Sequence, residues 1–442
     1  VKIWQKNNTS TPEVERFTVG KDRELDVLLA PFDVLGSLAH AQMLAQQGLM
    51  NPDDLLQVQK GLKEIYQQIE NGAFSITEED VHSQVEMLLT QAVGDAGKRI
   101  HTGRSRNDQV LLDLKLYFRH QITAITGWVK QLFDILVQLS EKHKNVLLPG
   151  YTHLQVAMPS SFGLWFGAYA ESLIDDLLLL QTAYKITNKN PLGSAAGYGS
   201  SFPLNRTLTT QLLGFETLNY NVVYAQMGRG KTERIIAQAM AAVAATLSRM
   251  AMDICLYMSQ NFGFVTFPDE LTTGSSIMPH KKNPDVFELV RANCNLLQAL
   301  PNDLLLISNN LPSGYHRDMQ LTKEVMLPAF QRLQDVLQVV IYMLPQIQVN
   351  EHIITSQDYY RYLFSVEEVN QLVQQGVPFR DAYRQVGIAI EQGNFQPDYK
   401  INHTHEGSIS HLCNDKITAM MQEVIAGFQF EKVEKALRNL LA

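Results

Sequence analysis

The segment from Gly274 to Asp285, G-S-S-I-M-P-H-K-K-N-P-D, gathers two serines and two lysines on one loop bounded by glycine and proline. Turns account for the glycine and the prolines, but not for this order of side chains. Asn283-Pro284-Asp285 reads as a helix start, with Asn283 as N-cap, Pro284 at the first helical position and Asp285 in the first turn. Glu288 then falls one turn inside that helix. Lys281 and Lys282 bring positive charge beside a helix N-terminus, whose free N–H groups already favour an anion. Ser275 and Ser276 follow Gly274, a candidate hinge, so the segment reads as a mobile lid closing over a negatively charged small molecule. Composition alone also fits a polar surface loop with incidental lysines.

Three further stretches could serve such a molecule. K-R-I-H-T-G-R-S-R-N-D-Q packs Lys98, Arg99, His101, Arg104 and Arg106 around a glycine. Guanidinium groups beside Ser105 and Asn107 suit forked recognition of carboxylates or phosphates, although a solvated helix start carries similar charge. P-G-Y-T-H-L-Q offers Thr152 and His153, a lone histidine that could equally be structural. L-P-S-G-Y-H-R-D-M-Q-L-T-K offers Tyr315, Gln320 and Lys323. The sequence holds no Walker loop, H-E-x-x-H, C-x-x-C or G-x-S-x-G. His403, His405, His411 and Cys413 are not spaced as a recognised metal site, so no metal is expected.

These stretches need a scaffold, and hydrophobic periodicity makes it helical nearly throughout. Five long patterns run from Asn107 to Lys142, Ser160 to Ile186, Lys231 to Gln260, Asp285 to Asn309 and Lys323 to Gln346. The expected fold is all-α, without a sheet, in three domains: 1–102 of shorter helices, 103–352 as a central long-helix bundle, and 353–442 as a small helical domain. The motif loops fall between the long helices and should gather at the bundle ends. Pro301 and Pro328 should kink or end their helices. The Ala- and Met-rich pattern from Ile235 to Met258 is apolar around most of its circumference, which favours burial against other subunits over a large monomeric bundle.

Composition narrows the class. The chain has 442 residues, 45% of them hydrophobic and 19% charged, and a formal net charge of −8. That balance argues against general nucleic-acid or anionic-membrane binding and leaves room for a local basic pocket. The three cysteines, Cys255, Cys294 and Cys413, lie far apart and read as reduced thiols. The opening V-K-I-W-Q-K-N-N-T-S lacks the apolar run of a secretory leader, and the least charged stretches stop short of a membrane span, so a cytoplasmic protein is expected.

G-S-S-I-M-P-H-K-K-N-P-D resembles the G-S-S-x-M-P-x-K-x-N motif of the fumarase/aspartase superfamily. Within it, H-T-G-R-S-R-N-D-Q, P-G-Y-T-H-L-Q and the Y-x-x-D-x-Q-x-x-K of Tyr315 to Lys323 resemble the argininosuccinate lyase family, to which the lens protein delta-crystallin is related. The resemblance implies a homotetramer with active sites shared between subunits, acting on argininosuccinate without a cofactor to give arginine and fumarate. It implies Ser275 as general base, His153 paired with Glu288 near the leaving nitrogen, and Lys281 and Asn283 stabilising the dianion that forms when a proton leaves carbon beside a carboxylate. A serine hydroxyl is a poor base unless positive charge and N–H groups hold its deprotonated form.

By the same resemblance Thr18, Ser105, Arg106, Asn107 and Thr152 bind the succinyl carboxylates, and Tyr315, Gln320 and Lys323 hold the amino-acid end. Where that family tends to read D-A-V-S-D-R-D-F, this chain has Y-A-Q-M-G-R-G-K, keeping Arg229 and Glu233 without the acidic residues. Its N-terminal segment is also longer by about one helical turn. Another lyase of the superfamily, of the adenylosuccinate lyase or aspartase kind, and a catalytically silent crystallin-like protein are the alternatives.

Overall fold

The computed structural model describes residues 11–442; the opening segment on which the leader argument rests lies outside them. The helices that position the site are α1 (Pro12–Val19), α2 (Ala30–Gln46), α3 (Val81–Val93), α4 (Arg106–Lys142), α5 (Phe162–Thr187), α6 (Lys231–Met258), α7 (Asp285–Ser308) and α8 (Leu321–Met343). The all-α expectation holds. Strands are confined, among the described residues, to three two-stranded pieces. The longest is an antiparallel hairpin of β1 (Leu147–Thr152) and β2 (Gln155–Ser161), which periodicity alone did not reveal.

Local chemistry starts the long helices. Ser105 Oγ accepts from Asn107 N at 3.2 Å while the Asp108 carboxylate accepts from Ser105 N at 2.9 Å, a reciprocal cap that opens α4. Ser161 caps α5 by accepting from Leu164 N at 3.1 Å. Along α5, Phe162, Phe166, Leu173, Leu177, Leu180 and Tyr184 return at helical spacing and are buried. Each such side chain contributes on the order of 1.5–3 kcal/mol by leaving water. α4 packs along α5, α5 along α6, α6 along α7 and α7 along α8, so the core runs the length of the bundle. Pro301 and Pro328 lie inside α7 and α8, and neither helix ends at its proline.

The expected Asn283 cap is not formed. α7 begins at Asp285 with Pro284 in the capping position and no side-chain cap. Asn283 is committed elsewhere: its N–H donates to Thr273 O at 2.8 Å, closing the base of the loop. Two stretches, Asp22–Gln46 and Lys231–Met258, are long and apolar enough to cross a membrane by composition, but 78% and 50% of their most apolar windows are buried inside the chain.

α4 also carries two deeply buried cations. Lys115 Nζ donates to Lys189 O at 2.9 Å and to Asn219 Oδ1 at 2.8 Å, and Arg119 donates to Asn188 Oδ1 and Leu213 O. Burial pushes the Lys115 ammonium down to about 7. Its folded pKa lies below its unfolded value, so its stabilising contribution is full above the unfolded value and is lost as pH falls toward 7. The thermal midpoint is therefore expected to rise with pH between about 7 and 9, and Lys115→Met to flatten that slope. Thermal scans of both proteins across that range check this.

Candidate active site

A cavity of about 250 Å³ opens where α3, α4 and α8 approach one another. Five of the residues expected to hold substrate line it: Arg106, Asn107, Tyr315, Gln320 and Lys323. They come from sequence stretches some 200 residues apart, Arg106 and Asn107 from the first turn of α4, Tyr315 and Gln320 from the approach to α8 and Lys323 from its first turn.

Two of the cavity's cations, Arg106 and Lys323, are held by carboxylates at short range. Arg106 Nη1 sits 2.5 Å from Asp80 Oδ2. Burial pushes the Asp80 carboxyl up, but His82, Arg106 and hydrogen bonds from Ser83 outweigh it and leave the group below its ordinary value. Lys323, only 3% exposed, places Nζ 2.7 Å from Asp22 Oδ1 and 2.6 Å from Asp26 Oδ1. Asp22 is pushed up by burial and drawn back by Lys323. Asp22, Asp26 and Asp80 were missed by the sequence reading, although Asp22 and Asp26 stand four apart and so share a helical face.

Thr18 takes a different place from the one expected. Its hydroxyl turns back onto α1, donating to Val14 O at 2.8 Å, while its carbonyl accepts from Gln320 Nε2 at 3.0 Å and from Arg317 Nη2 at 2.6 Å. Thr18 is thus tied to Gln320 and Arg317 through its backbone carbonyl. Ser105 likewise spends its hydroxyl on the cap of α4 and does not line the cavity.

The Tyr224–Lys231 departure has a physical reading. Gly230 turns at φ 78°, and a Cβ there would meet Ser308 Cβ at 3.0 Å and Met319 Sδ at 3.2 Å. The tight turn delivers Arg229 to the cavity wall, with Nη2 donating to Met319 O at 3.0 Å and its guanidinium 5.7 Å from the Tyr315 ring centroid. Glu233 accepts from Gly230 N at 2.7 Å and caps α6.

The loop of Ser275, Lys281 and Asn283 stands apart from this cavity. Ser275 Oγ accepts from Ile277 N at 3.4 Å and Met278 N at 3.2 Å, so two amide dipoles converge on one hydroxyl oxygen. Asn283 Nδ2 donates to Thr273 Oγ1 and Gly274 O, Thr273 Oγ1 bonds the Asp285 carboxylate, and Lys282 pairs with Asp269. Lys281 is exposed.

Thr152 and His153 occupy a third place, the tip of the hairpin. His153 and Leu154 form its two-residue turn at φ 54° and 58°, a left-handed pair that Asn-Gly adopts with far less strain. Both side chains are exposed, Leu154 at 73%. Glu288 is exposed on α7, and among the described residues no hydrogen bond or ion pair joins it to His153. One chain therefore presents three separate groups of expected site residues. His403 Nε2 pairs with Glu367 at 3.0 Å and the His403 ring stacks on His405, whereas among the described residues the group close enough to hold a cation is Asp33, His82 and Asp113. A larger cavity, of about 730 Å³, lies between Thr207–Leu218 and the C-terminal helix and contains none of the expected residues.

Comparison with known proteins supplies the class. A family model described as a lyase matches residues 2–298. Solved structures with this fold include an EDDS lyase variant with bound fumarate, at TM-score 0.77 and 21% identity, covering 98% of this chain and 94% of that one. Another is a class II fumarase from Schistosoma mansoni, at TM-score 0.70 and 15% identity, covering 97% of each chain. The fold is that of the lyases of the fumarase/aspartase superfamily. Among curated relatives, argininosuccinate lyase of Bacteroides fragilis is 62% identical over 442 residues, 100% of this chain and 99% of the relative. The argininosuccinate lyase of Thermotoga neapolitana is 37% identical over 391 residues, 87% of this chain and 97% of the relative. The chain belongs to the argininosuccinate lyase family.

Proposed function

We propose that this chain cleaves argininosuccinate to arginine and fumarate by general-base elimination, as a cytoplasmic homotetramer and without a cofactor. The observation that carries the substrate is the 62% identity, end to end, with relatives named argininosuccinate lyase. Neither another lyase of the superfamily nor a silent crystallin-like protein is favoured by it.

In this reading the Ser275 alkoxide takes a proton from the carbon beside one succinyl carboxylate. The electron pair passes into that carboxylate as a dianion and then forms the double bond of fumarate. As it does, the carbon–nitrogen bond breaks and the leaving guanidino nitrogen takes up a proton with help from His153 and Glu288. Lys281 and Asn283 stabilise the dianion, where fixed cations and donors act most strongly. Thr18, Ser105, Arg106, Asn107 and Thr152 serve the succinyl carboxylates, and Tyr315, Gln320 and Lys323 the amino-acid end. The two amides on Ser275 Oγ support the choice of base, because they favour its deprotonated form.

The separation of the three groups within one chain supports sites shared between subunits. Long-helix grooves of about 530 Å³ between α5 and α6 and about 500 Å³ between α7 and α8 support a helical tetramer interface in 103–352, with 1–102 and 353–442 as flanking domains. Leu289, Leu296 and Leu306 on α7 are 64%, 57% and 65% exposed in one chain, a large apolar surface for a monomer to leave in water. Purified protein given argininosuccinate is expected to release fumarate, followed by ultraviolet absorbance, with kcat on the order of 1–10³ s⁻¹. Absence of that absorbance change with argininosuccinate would defeat the reading.

A further inference from the structure

Three consecutive residues at the start of α3 each fasten a different part of the cavity. Asp80 caps the helix, its Oδ1 accepting from Ser83 N at 2.8 Å and Ser83 Oγ at 2.6 Å, while its Oδ2 holds Arg106. Val81 N donates to Asp26 Oδ2 at 3.5 Å, and the other oxygen of Asp26 holds Lys323. His82 borders the cavity yet is only 7% exposed. Its Nδ1 lies 2.7 Å from Asp33 Oδ1 on α2 and 3.5 Å from Asp113 Oδ2 on α4.

We infer that His82 is a positioning residue for substrate binding: by fastening the first turn of α3 to α2 and α4, it sets where Arg106 and Lys323 present their charge to the cavity. The inference rests on the lyase reading above. Its ground is that the restraints on both cations issue from the turn that His82 anchors. A histidine buried only to fill space has no need of a short bond to one carboxylate and a second carboxylate at its side.

The alternative use of this cluster, a cation held by Asp33, His82 and Asp113, conflicts with the bond already present. An Nδ1–H donating to Asp33 has no lone pair to offer a metal. The surrounding charges favour that proton. Burial pushes the imidazole down, but Asp33, Asp80 and Asp26 outweigh it and raise the group. Asp113 is pushed well up by burial and by the charge of Asp33, and the charge of Arg104 opposes the rise. The cluster is thus a histidine whose Nδ1 is fixed against Asp33, with Asp113 at its side.

Two substitutions in the full-length protein test the role. His82→Leu removes the donor to Asp33, and His82→Asn places an amide N–H near the position of Nδ1. With argininosuccinate as substrate, folded His82→Leu is expected to raise KM about tenfold or more while kcat falls less than about threefold, and His82→Asn to return KM to within about threefold of the parent. An unchanged KM in folded His82→Leu overturns the inference, as does a loss confined to kcat or an Asn variant no better than the Leu variant. If His82→Leu does not fold, Asp33→Asn takes its place, with a severalfold rise in KM expected and an unchanged KM overturning. Failure of both to fold overturns it as well, because the cluster would then be part of the core. A parent protein that releases no fumarate defeats the lyase reading, whereas an active parent with an unaltered His82→Leu defeats this inference alone.

Discussion

Ser275→Ala is expected to lower kcat for fumarate release by about 10²–10⁴-fold, the range that a positioned general base supplies, with KM changed little. The hydrogen removed in the reaction sits on carbon beside a carboxylate, and a neutral hydroxyl cannot take it. In the proposed mechanism the loop meets the need by aiming Ile277 N and Met278 N at Ser275 Oγ, at 3.4 and 3.2 Å, with Lys281 six residues on to add charge. Alanine removes the oxygen and leaves those amides to water, which costs the fold little because the surrounding loop is largely exposed. Steady-state kinetics, with size measurement and a thermal scan, separate the effects. Near-parental turnover in Ser275→Ala would remove this serine from the chemistry.

The same loop shows where local reading of the sequence stops. Caps elsewhere in the chain form within four residues, Ser105 with Asp108, Ser161 with Leu164 and Asn51 with Asp54, yet Asn283 was the one cap expected from the sequence. Asn283 carried an equally good local signal and did not become a cap. A partner ten residues away, Thr273, claimed its N–H and drew the chain into the bridge that closes the loop. The β1–β2 hairpin was hidden for a different reason. His153-Leu154 is not a turn dipeptide, and its two left-handed residues place a histidine at an exposed tip at a cost in backbone strain.

The acidic half of the cavity was out of reach for a third reason. The order of side chains around Arg106 and Lys323 announced two cations for an anionic substrate, but not what restrains them. Asp80 is 26 residues from Arg106, and Asp26 is 297 residues from Lys323. Periodicity and capping rules act within an element, so pairs of that separation emerge only once α3 and α8 are packed. Asp22 and Asp26, near the N-terminus, supply the pair of carboxylates that faces Lys323.

Lys323 is where those restraints carry the largest consequence for stability. Lys323→Met is expected to destabilise the fold by about 3–5 kcal/mol, the usual cost of breaking one side of a buried ion pair. Lys323 is 3% exposed with its ammonium between two carboxylates, and its removal leaves like charges facing each other where, among the described residues, it is the cation within ion-pair distance of both. Burial and the neighbouring Asp26 charge already hold the Asp22 carboxyl above its ordinary value against the pull of Lys323, and removing the lysine raises it further. The added penalty is absent below the unfolded value and is felt in full once pH exceeds the folded one, so the deficit should shrink as pH is lowered from 7. Substituting asparagine at both aspartates in the same chain should recover much of the stability at neutral pH. It should not recover activity: loss of a charged partner for the substrate's amino-acid end costs about 2–5 kcal/mol, thirtyfold or more in kcat/KM. Denaturant titrations of the single and triple variants, with kinetics on each, distinguish the two roles. A triple variant that regained turnover together with stability would make Lys323 a structural counter-ion and remove it from substrate binding.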